Sequence, residues 1–436
     1  MKDEIKANND KSISHRLSKA EGLGGMGYFR KLKLSEKTQI VLSIFGSMFG
    51  LGIYNHPKYF LETGVVGYLI ACIFAFVINH LAYVSMVELA DKYGYKNYAE
   101  IAKFLGNPIY IKIMNVFFMV GYIFRLFGPF ILINDTINGI AVNFGNPNAL
   151  LDCKYSIFGI VLTGVVLIPM IAQRKLGKIT AAIYLSITAY ILINVFTLVA
   201  RSSLPAIKNP DERNWLIDFG RFPNTFFYMI SASSIHGNVM MIYNDLKKKK
   251  IQTMKKVLYI SFSISSFIYP LYSAVGSYML LKICKIKNLT SFTTIIREYF
   301  PYSPSFSMVM SVFNILISLN AFIFAFIAFR NTFLSFFVPK NSNFDDFVSN
   351  SMIRYAALFL VFFFVILASV ITFLINDFTI GIQLNAFLVN PVLYCILPLI
   401  VIHKQNNSVV NKALIGVCSL LYCYTIYYTI KMLFFK

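Results

Sequence analysis

The chain has 436 residues, of which 57% are hydrophobic and 14% are charged, and its mean hydropathy is +0.64. A soluble protein of this length could not bury so much apolar surface, so the composition excludes a soluble globular protein and predicts a polytopic membrane protein. The formal net charge of +21 does not indicate nucleic-acid binding, because the basic residues lie in short loops between apolar segments and read as topology signals.

A polar, basic tail occupies residues 1–37. No short apolar run with a small-residue cleavage site follows it, so we expect the first apolar segment to be retained as a helix. An excess of Lys and Arg on the loops of the same side predicts a cytoplasmic N-terminus. The apolar pattern predicts eleven spans, with approximate limits 38–60, 64–90, 108–137, 155–172, 177–200, 217–244, 255–283, 305–330, 352–375, 378–402 and 412–434.

The first span contains three glycines within residues 46–52, GSMFGLG. Each costs about 1 kcal/mol of helix stability relative to Ala, which favours unwound backbone at bilayer depth. Amides at the start of the second half-helix, from about Ile53, would attract a carboxylate, while carbonyls near Gly46 would hold an ammonium group or Na⁺. Close helix packing is the alternative use of the glycines. The candidate substrate-binding residues here are Ser47, Gly50, Leu51, Gly52 and Ile53.

Arg125 lies near the middle of the third span. A charge at that depth costs about 2.5–3.5 kcal/mol and therefore needs an anionic partner, a water-filled cavity or a substrate. Glu88, Asp135 and a substrate carboxylate are the candidate partners, and a fixed ion pair is the alternative to a role in substrate binding or gating. Phe124 and Phe127 are candidates for an aromatic lid over the bound substrate, although most of the 43 Phe must face lipid.

A second interruption is predicted at residues 231–237, SASSIHG, in the sixth span. Ser231, Ser233 and Ser234 could offer hydroxyls to a substrate, or simply bond the preceding turn. His236 is a candidate for carrying a coupling proton, and a helix–helix hydrogen bond is the alternative. Two interrupted helices in corresponding places of two halves are the best sequence indication of a secondary transporter's binding site.

The eighth span carries Asn314, Ser318 and Asn320. Asn314 and Ser318 are four residues apart and share a helix face. With carbonyls of the first interruption, such as that of Gly46, they could complete an oxygen cage for Na⁺. Plain hydrogen bonds between helices are the alternative.

The six cysteines show no metal-ligand spacing, and no glycine-rich phosphate loop is found. We therefore expect neither an enzyme nor an ATP-driven pump, and no cofactor or metal other than a coupling ion. Cys153 and Cys284 both fall on the predicted outer side, where a disulfide between them is one alternative. Asn288 begins a glycosylation sequon on that side.

Four groups of residues, taken in their order along the chain, resemble the motifs of a known family. They are residues 50–53 (GLGI) with Pro57 and residues 62–64 (ETG); residues 98–108 (YAEIAKFLGNP); residues 242–247 (IYNDLK) with residues 272–276 (YSAVG); and residues 376–378 (NDF) with Asn390, Pro391 and Pro398. Together they resemble the amino acid/auxin permease family, closest to its neutral amino acid transporter branch, over residues 38–402. The eighth span departs from the pattern, because residues 318–322 lack the proline that the family commonly has there.

The resemblance implies an all-α, LeuT-like fold of five plus five helices in inverted repeat, with broken helices 1 and 6. The tail would cover residues 1–37, the repeats residues 38–200 and 201–402, and an eleventh helix with the C-terminus residues 403–436. It also implies secondary active transport of an amino acid by alternating access. The substrate would bind where spans one and six cross, and spans three and eight would close the site.

Several alternatives stay open at this level. The coupling ion could be H⁺ or Na⁺, and the membrane could be the plasma membrane or that of an acidic vacuole or lysosome-like compartment. The rivals to an amino acid transporter are an amino acid sensor of the same fold and a transporter of a polyamine or another organic cation. The expected partners are the amino acid and the lipid bilayer, and not a nucleic acid.

Overall fold

The computed structural model describes residues 36–48, 51–95, 98–106, 108–143, 216–244, 246, 251–283, 304–335 and 385–434, with single positions at 188–195 and 355–367. All secondary structure in these ranges is helical. Most of the predicted tail, the whole fourth span, all but single positions of the fifth and ninth spans, and Cys153, Cys284 and Asn288 lie outside the described residues.

The α-helices within these ranges are labelled in chain order. They are α1 (Glu36–Met48), α2 (His56–Thr63), α3 (Val65–Tyr93), α4 (Ile101–Phe104), α5 (Pro108–Asn143), α6 (Phe222–Ala232), α7 (His236–Asn244), α8 (Ile251–Ile283), α9 (Pro304–Ser335), α10 (Leu397–Asn406) and α11 (Val409–Phe434). Short 3₁₀ segments cover Leu51–Asn55 and Tyr98–Glu100, and π-helical segments cover Asn385–Val389 and Val392–Ile396.

Five helical stretches are long and apolar enough to cross a membrane, among the residues described. They are Val65–Tyr93, Ile251–Tyr278, Met308–Leu334, Asn385–Asn406 and Val409–Lys431, and they coincide with the predicted second, seventh, eighth, tenth and eleventh spans. The outer face of α3 exposes large apolar side chains: Val66, Leu69, Ile73, Phe74, Val77 and Leu81. Such a face suits lipid, and the chain has the architecture of an all-helical integral membrane protein.

The first span is interrupted, as its glycines predict. Helix α1 ends at Met48, a 3₁₀ segment covers Leu51–Asn55, and α-helical structure resumes at His56. The resumption lies three residues later than the expected position near Ile53. Pro57 sits in the first turn of α2, where a missing N–H group costs no hydrogen bond.

The second interruption lies between α6 and α7, at residues 233–235. The N–H group of Ser233 still donates to the carbonyl of Met229, at 3.1 Å, and that of Ser234 to Ser231, at 3.2 Å. Helical bonding then restarts with Asn238, whose N–H donates to Ile235 at 2.8 Å. The helix is therefore broken within the range that the serine-rich sequence predicts.

The two interruptions touch each other. A Cβ atom built on Gly52 would lie 2.7 Å from the Cβ and 2.8 Å from the Cα of Ala232, so only glycine permits this approach. Helix α1 contacts α7, while the 3₁₀ segment and α2 contact α6. The broken helices therefore run past each other with their unwound parts side by side.

Other helices surround this crossing. Helix α5 packs against α9, and α8 packs along α1, α2 and α3. The π-helical segment Asn385–Val389 contacts both α5 and α6. This arrangement encloses the unwound backbone in protein, which is the condition for irregular backbone at bilayer depth.

Candidate functional site

A cavity of about 100 Å³ lies beside the crossing. Its walls come from both broken helices, from α5 and α9, and from Asn385. One water needs roughly 10–15 Å³ of such space, so the cavity has room for several waters or one small solute. Five residues singled out from the sequence line it: Ser47, Gly52, Phe124, Arg125 and Ser231.

The remaining predicted substrate-binding residues lie elsewhere or are not described in full. Ile53, Ser233 and Ser234 are buried but do not line the cavity. Gly50 lies outside the described residues, and only the backbone of Leu51 is described. Their predicted role in binding a substrate stays a prediction.

Arg125 caps the broken end of α6. Its Nη2 atom donates to the carbonyl of Ser234 at 3.0 Å and to that of Ser231 at 3.3 Å. The guanidinium carbon also lies 5.2 Å from the centre of the Tyr394 ring, a cation–π contact. Carbonyls at a helix C-terminus carry partial negative charge, so this placement stabilises the cation electrostatically.

No carboxylate pairs with Arg125 among the side chains that the structure describes. Glu88, one of the partners considered from the sequence, instead forms an ion pair with Lys255, with 2.6 Å between Nζ and Oε1. The side chain of Asp135, the other candidate, lies outside the described part of the chain. Among the described residues, the Arg125 guanidinium is therefore held by backbone carbonyls and not by a carboxylate.

Neutral donors satisfy the other carbonyls at the end of α6. Asn79 donates to Ile230 at 3.2 Å, Tyr83 donates to Ser233 at 3.2 Å, and Tyr269 donates to Ala232 at 3.4 Å. These donors come from α3 and α8. The broken end of α6 thus has a partner for each carbonyl from Ile230 to Ser234.

The broken end of α1 is capped in the same way. Asn320 Nδ2 donates to the carbonyl of Gly46 at 3.0 Å, and the Tyr269 hydroxyl donates to that of Met48 at 2.8 Å. The single O–H group of Tyr269 therefore lies between the ends of α1 and α6, with its shorter contact to α1. The Gly46 carbonyl, considered from the sequence as a ligand for an ammonium group or Na⁺, already accepts an amide hydrogen bond.

The polar residues predicted to complete a Na⁺ cage make hydrogen bonds of their own. Asn314 Nδ2 donates to Thr136 Oγ1 at 2.8 Å, across the α5–α9 contact. Ser318 Oγ donates to the backbone carbonyl of Asn314 at 2.8 Å. The hydrogen bonds bring Asn320, rather than Asn314 or Ser318, to Gly46.

His236 is buried in a group of aromatic side chains away from the cavity lining. Its Nδ1 lies 3.1 Å from the Ser234 hydroxyl and 3.3 Å from the Tyr83 hydroxyl. Its ring stacks on Tyr394, with centroids 4.7 Å apart, and lies 5.3 Å from the Tyr98 ring. These contacts hold the imidazole in place at the start of α7, and its predicted role in proton coupling stays a prediction.

Two asparagines of the cavity were not predicted from the sequence. Asn238 and Asn385 line the cavity and are each 95% buried, and their Oδ1 atoms accept no hydrogen bond from a described residue. Asn238 uses its Nδ2 atom to donate to Ser47 at 3.4 Å. An asparagine inside an apolar span is a usable signal, because a buried amide needs partners.

One side of the crossing is closed by hydrogen bonds. The hydroxyls of Thr63 and Thr225 bond each other, and the Tyr228 hydroxyl donates to the carbonyl of Gly52. The N–H group of Asp218 donates to the carbonyl of Thr63 at 2.8 Å. Helix α2 and the start of α6 are thereby joined to each other.

No protein-family model matches the chain, and no curated protein matches it. The function that the cavity can support therefore follows from its geometry and its chemistry. Its main features are two crossed interruptions, one guanidinium and two amide oxygens without described donors.

Proposed function

We propose that this protein is a secondary active transporter of amino acids that works by alternating access. The observation that carries the proposal is the contact between the two helix interruptions, Gly52 against Ala232, beside a cavity lined by both. Unwound backbone at bilayer depth is stable only in protein or beside a polar cavity. Interrupted helices that meet at such a cavity are the usual construction of a transporter's substrate site.

An amino acid suits the chemistry of the cavity. The wall carries one guanidinium, from Arg125, together with hydroxyl and amide groups from Ser47, Ser231, Asn238 and Asn385. A zwitterion offers a carboxylate to the cation and donors to the neutral acceptors. A polyamine would bring like charge close to Arg125 in a region of low dielectric, which is unfavourable, so an organic cation is the weaker candidate.

The wider proposal is membership of the amino acid/auxin permease family, with five plus five helices in inverted repeat. The cavity lining supports it, because residues of the predicted third and eighth spans close over the crossing of the predicted first and sixth. On this proposal the N-terminus is cytoplasmic and a gradient of H⁺ or Na⁺ drives uptake. Transport then requires the side joined by Thr63 and Thr225 to open during the cycle.

Uptake by the purified full-length chain in liposomes tests the proposal. The twenty amino acids would be measured at two pH values, with and without a Na⁺ gradient, against protein-free liposomes. Saturable, stereoselective uptake supports a transporter. Amino acid binding without uptake would favour a sensor instead. The proposal fails if the folded protein moves none of the twenty under either gradient.

A further inference from the structure

Charge is unevenly distributed over the cavity wall, and this affects how a substrate would be oriented in the cavity. It has one cation on its wall, Arg125, and no acid among its described lining residues. Building on the proposed function, we infer that Arg125 binds the carboxylate of a small amino acid and that the amide oxygens of Asn238 and Asn385 accept its ammonium group. The carboxylate then lies at α5 rather than at the backbone amides near Leu51 and Gly52.

Arg125 has donors left for an anion. A guanidinium carries five N–H groups, and the two hydrogen bonds that Arg125 makes to described residues both start from Nη2. The Nε and Nη1 groups donate to no described residue. The side chain is only partly buried and lines the cavity, so these donors can reach a solute there. Charge-assisted bonds to a carboxylate are the strongest that such a site can make.

The carbonyls at the ends of α1 and α6, the usual acceptors for an ammonium group, already accept hydrogen bonds from side chains. The carbonyls of Gly46 and Met48 at the end of α1 accept bonds from Asn320 and Tyr269. At the end of α6, the guanidinium itself occupies the carbonyls of Ser231 and Ser234. Arg125 therefore stands where a substrate ammonium or a sodium ion would otherwise sit on α6.

The amide oxygens of Asn238 and Asn385 offer further acceptors in the cavity. The side chains of Asn238 and Asn385 are each 95% buried, and their Oδ1 atoms meet no described donor. A buried polar atom without a partner calls for an explanation, such as a water or a ligand. Both residues line the same cavity as Arg125, so one small zwitterion in that cavity would meet both kinds of group.

The decisive experiment compares competitors that carry one or both charges. Labelled alanine uptake in proteoliposomes would be challenged with alanine, with alanine methyl ester, which lacks the carboxylate, and with propionate, which lacks the ammonium group. We expect alanine to compete about 100-fold better than the ester, because loss of the guanidinium contact removes a charge-assisted bond. The matched control is Arg221→Gln, which alters a half-exposed arginine paired with Glu62 at 3.5 Å and should leave the order of the competitors unchanged.

The variants separate binding from support of the fold. Arg125→Gln should raise the alanine KM about 10- to 100-fold and abolish the preference for alanine over the ester. Arg125→Lys keeps the charge and should keep that preference even where uptake is weaker. This variant still tests the inference if Arg125→Gln fails to fold. Asn385→Leu should weaken alanine and ester alike while leaving propionate competition unchanged.

Two results overturn the inference in distinguishable ways. If the wild type takes up alanine, but Arg125→Gln keeps the wild-type preference for alanine over the ester, or Arg125→Lys loses it, Arg125 only caps α6. If the folded wild type takes up no amino acid, the proposed function fails and the orientation fails with it.

Discussion

Replacing Gly52 by Ala tests whether the two interruptions must touch. The added Cβ would lie 2.7 Å from the Cβ and 2.8 Å from the Cα of Ala232. Carbon atoms prefer separations of about 3.5–4.0 Å, so the two backbones must move apart by roughly 1 Å. The obstacle includes a backbone atom, which cannot rotate away, and overpacking of this kind costs about 1–3 kcal/mol. We expect a lower melting temperature in detergent and loss of most amino acid uptake in liposomes.

Gly416→Ala is the matched control for this prediction. Gly416 lies in α11, and a Cβ built there meets nothing within 4 Å. The melting temperature of the Gly416→Ala variant should stay the same or rise, because Ala favours a helix by about 1 kcal/mol over Gly. Adding Ala232→Gly to Gly52→Ala should restore only part of the loss, since the backbone of residue 232 would still approach the new methyl group to 2.8 Å. If the Gly52→Ala variant melts and takes up amino acids like the wild type, the two interruptions need not approach each other so closely.

Three further changes probe the surroundings of the crossing. Tyr269→Phe removes the hydroxyl that bonds the ends of α1 and α6 and should cost about 1–3 kcal/mol in unfolding experiments, whereas Tyr259→Phe on the exposed face of α8 should change little. Cysteines at Thr63 and Thr225, whose hydroxyls bond each other, should cross-link on oxidation and stop uptake until reduced; uptake that survives complete cross-linking would show that this side need not open. Lys255→Ala breaks a half-exposed ion pair and should shift stability by less than about 1 kcal/mol, with no effect at high salt.

The broken helices could be predicted from the sequence because their cause is local. Glycines in the first span and serines in the sixth weaken helical bonding wherever they occur. The exact point of resumption could not be predicted from the glycines alone. The 3₁₀ segment extends to Asn55, and the better local marker of the new helix start is Pro57, in the first turn of α2.

The partners of Arg125 could not be predicted from residue types. A cation inside a span is expected to pair with a carboxylate, but Glu88, one of the predicted partners, is paired with Lys255. The observed acceptors are backbone carbonyls of Ser231 and Ser234, and every residue has a carbonyl. Only the crossing of α5 with the end of α6 determines which carbonyls face the guanidinium, and that depends on long-range packing.

The caps on the broken helices also decide what the cavity can still bind. Water is scarce at bilayer depth, so carbonyls freed by an interruption must find protein donors or a ligand. At α1 and α6 the described donors come from Asn320, Tyr269 and Arg125. Because carbonyls at the ends of both helices already accept hydrogen bonds from side chains, we do not expect helix dipoles alone to fix the orientation of a bound zwitterion. On the inferred binding mode, the amide oxygens of Asn238 and Asn385, which accept from no described residue, and the Nε and Nη1 groups of Arg125 would set that orientation.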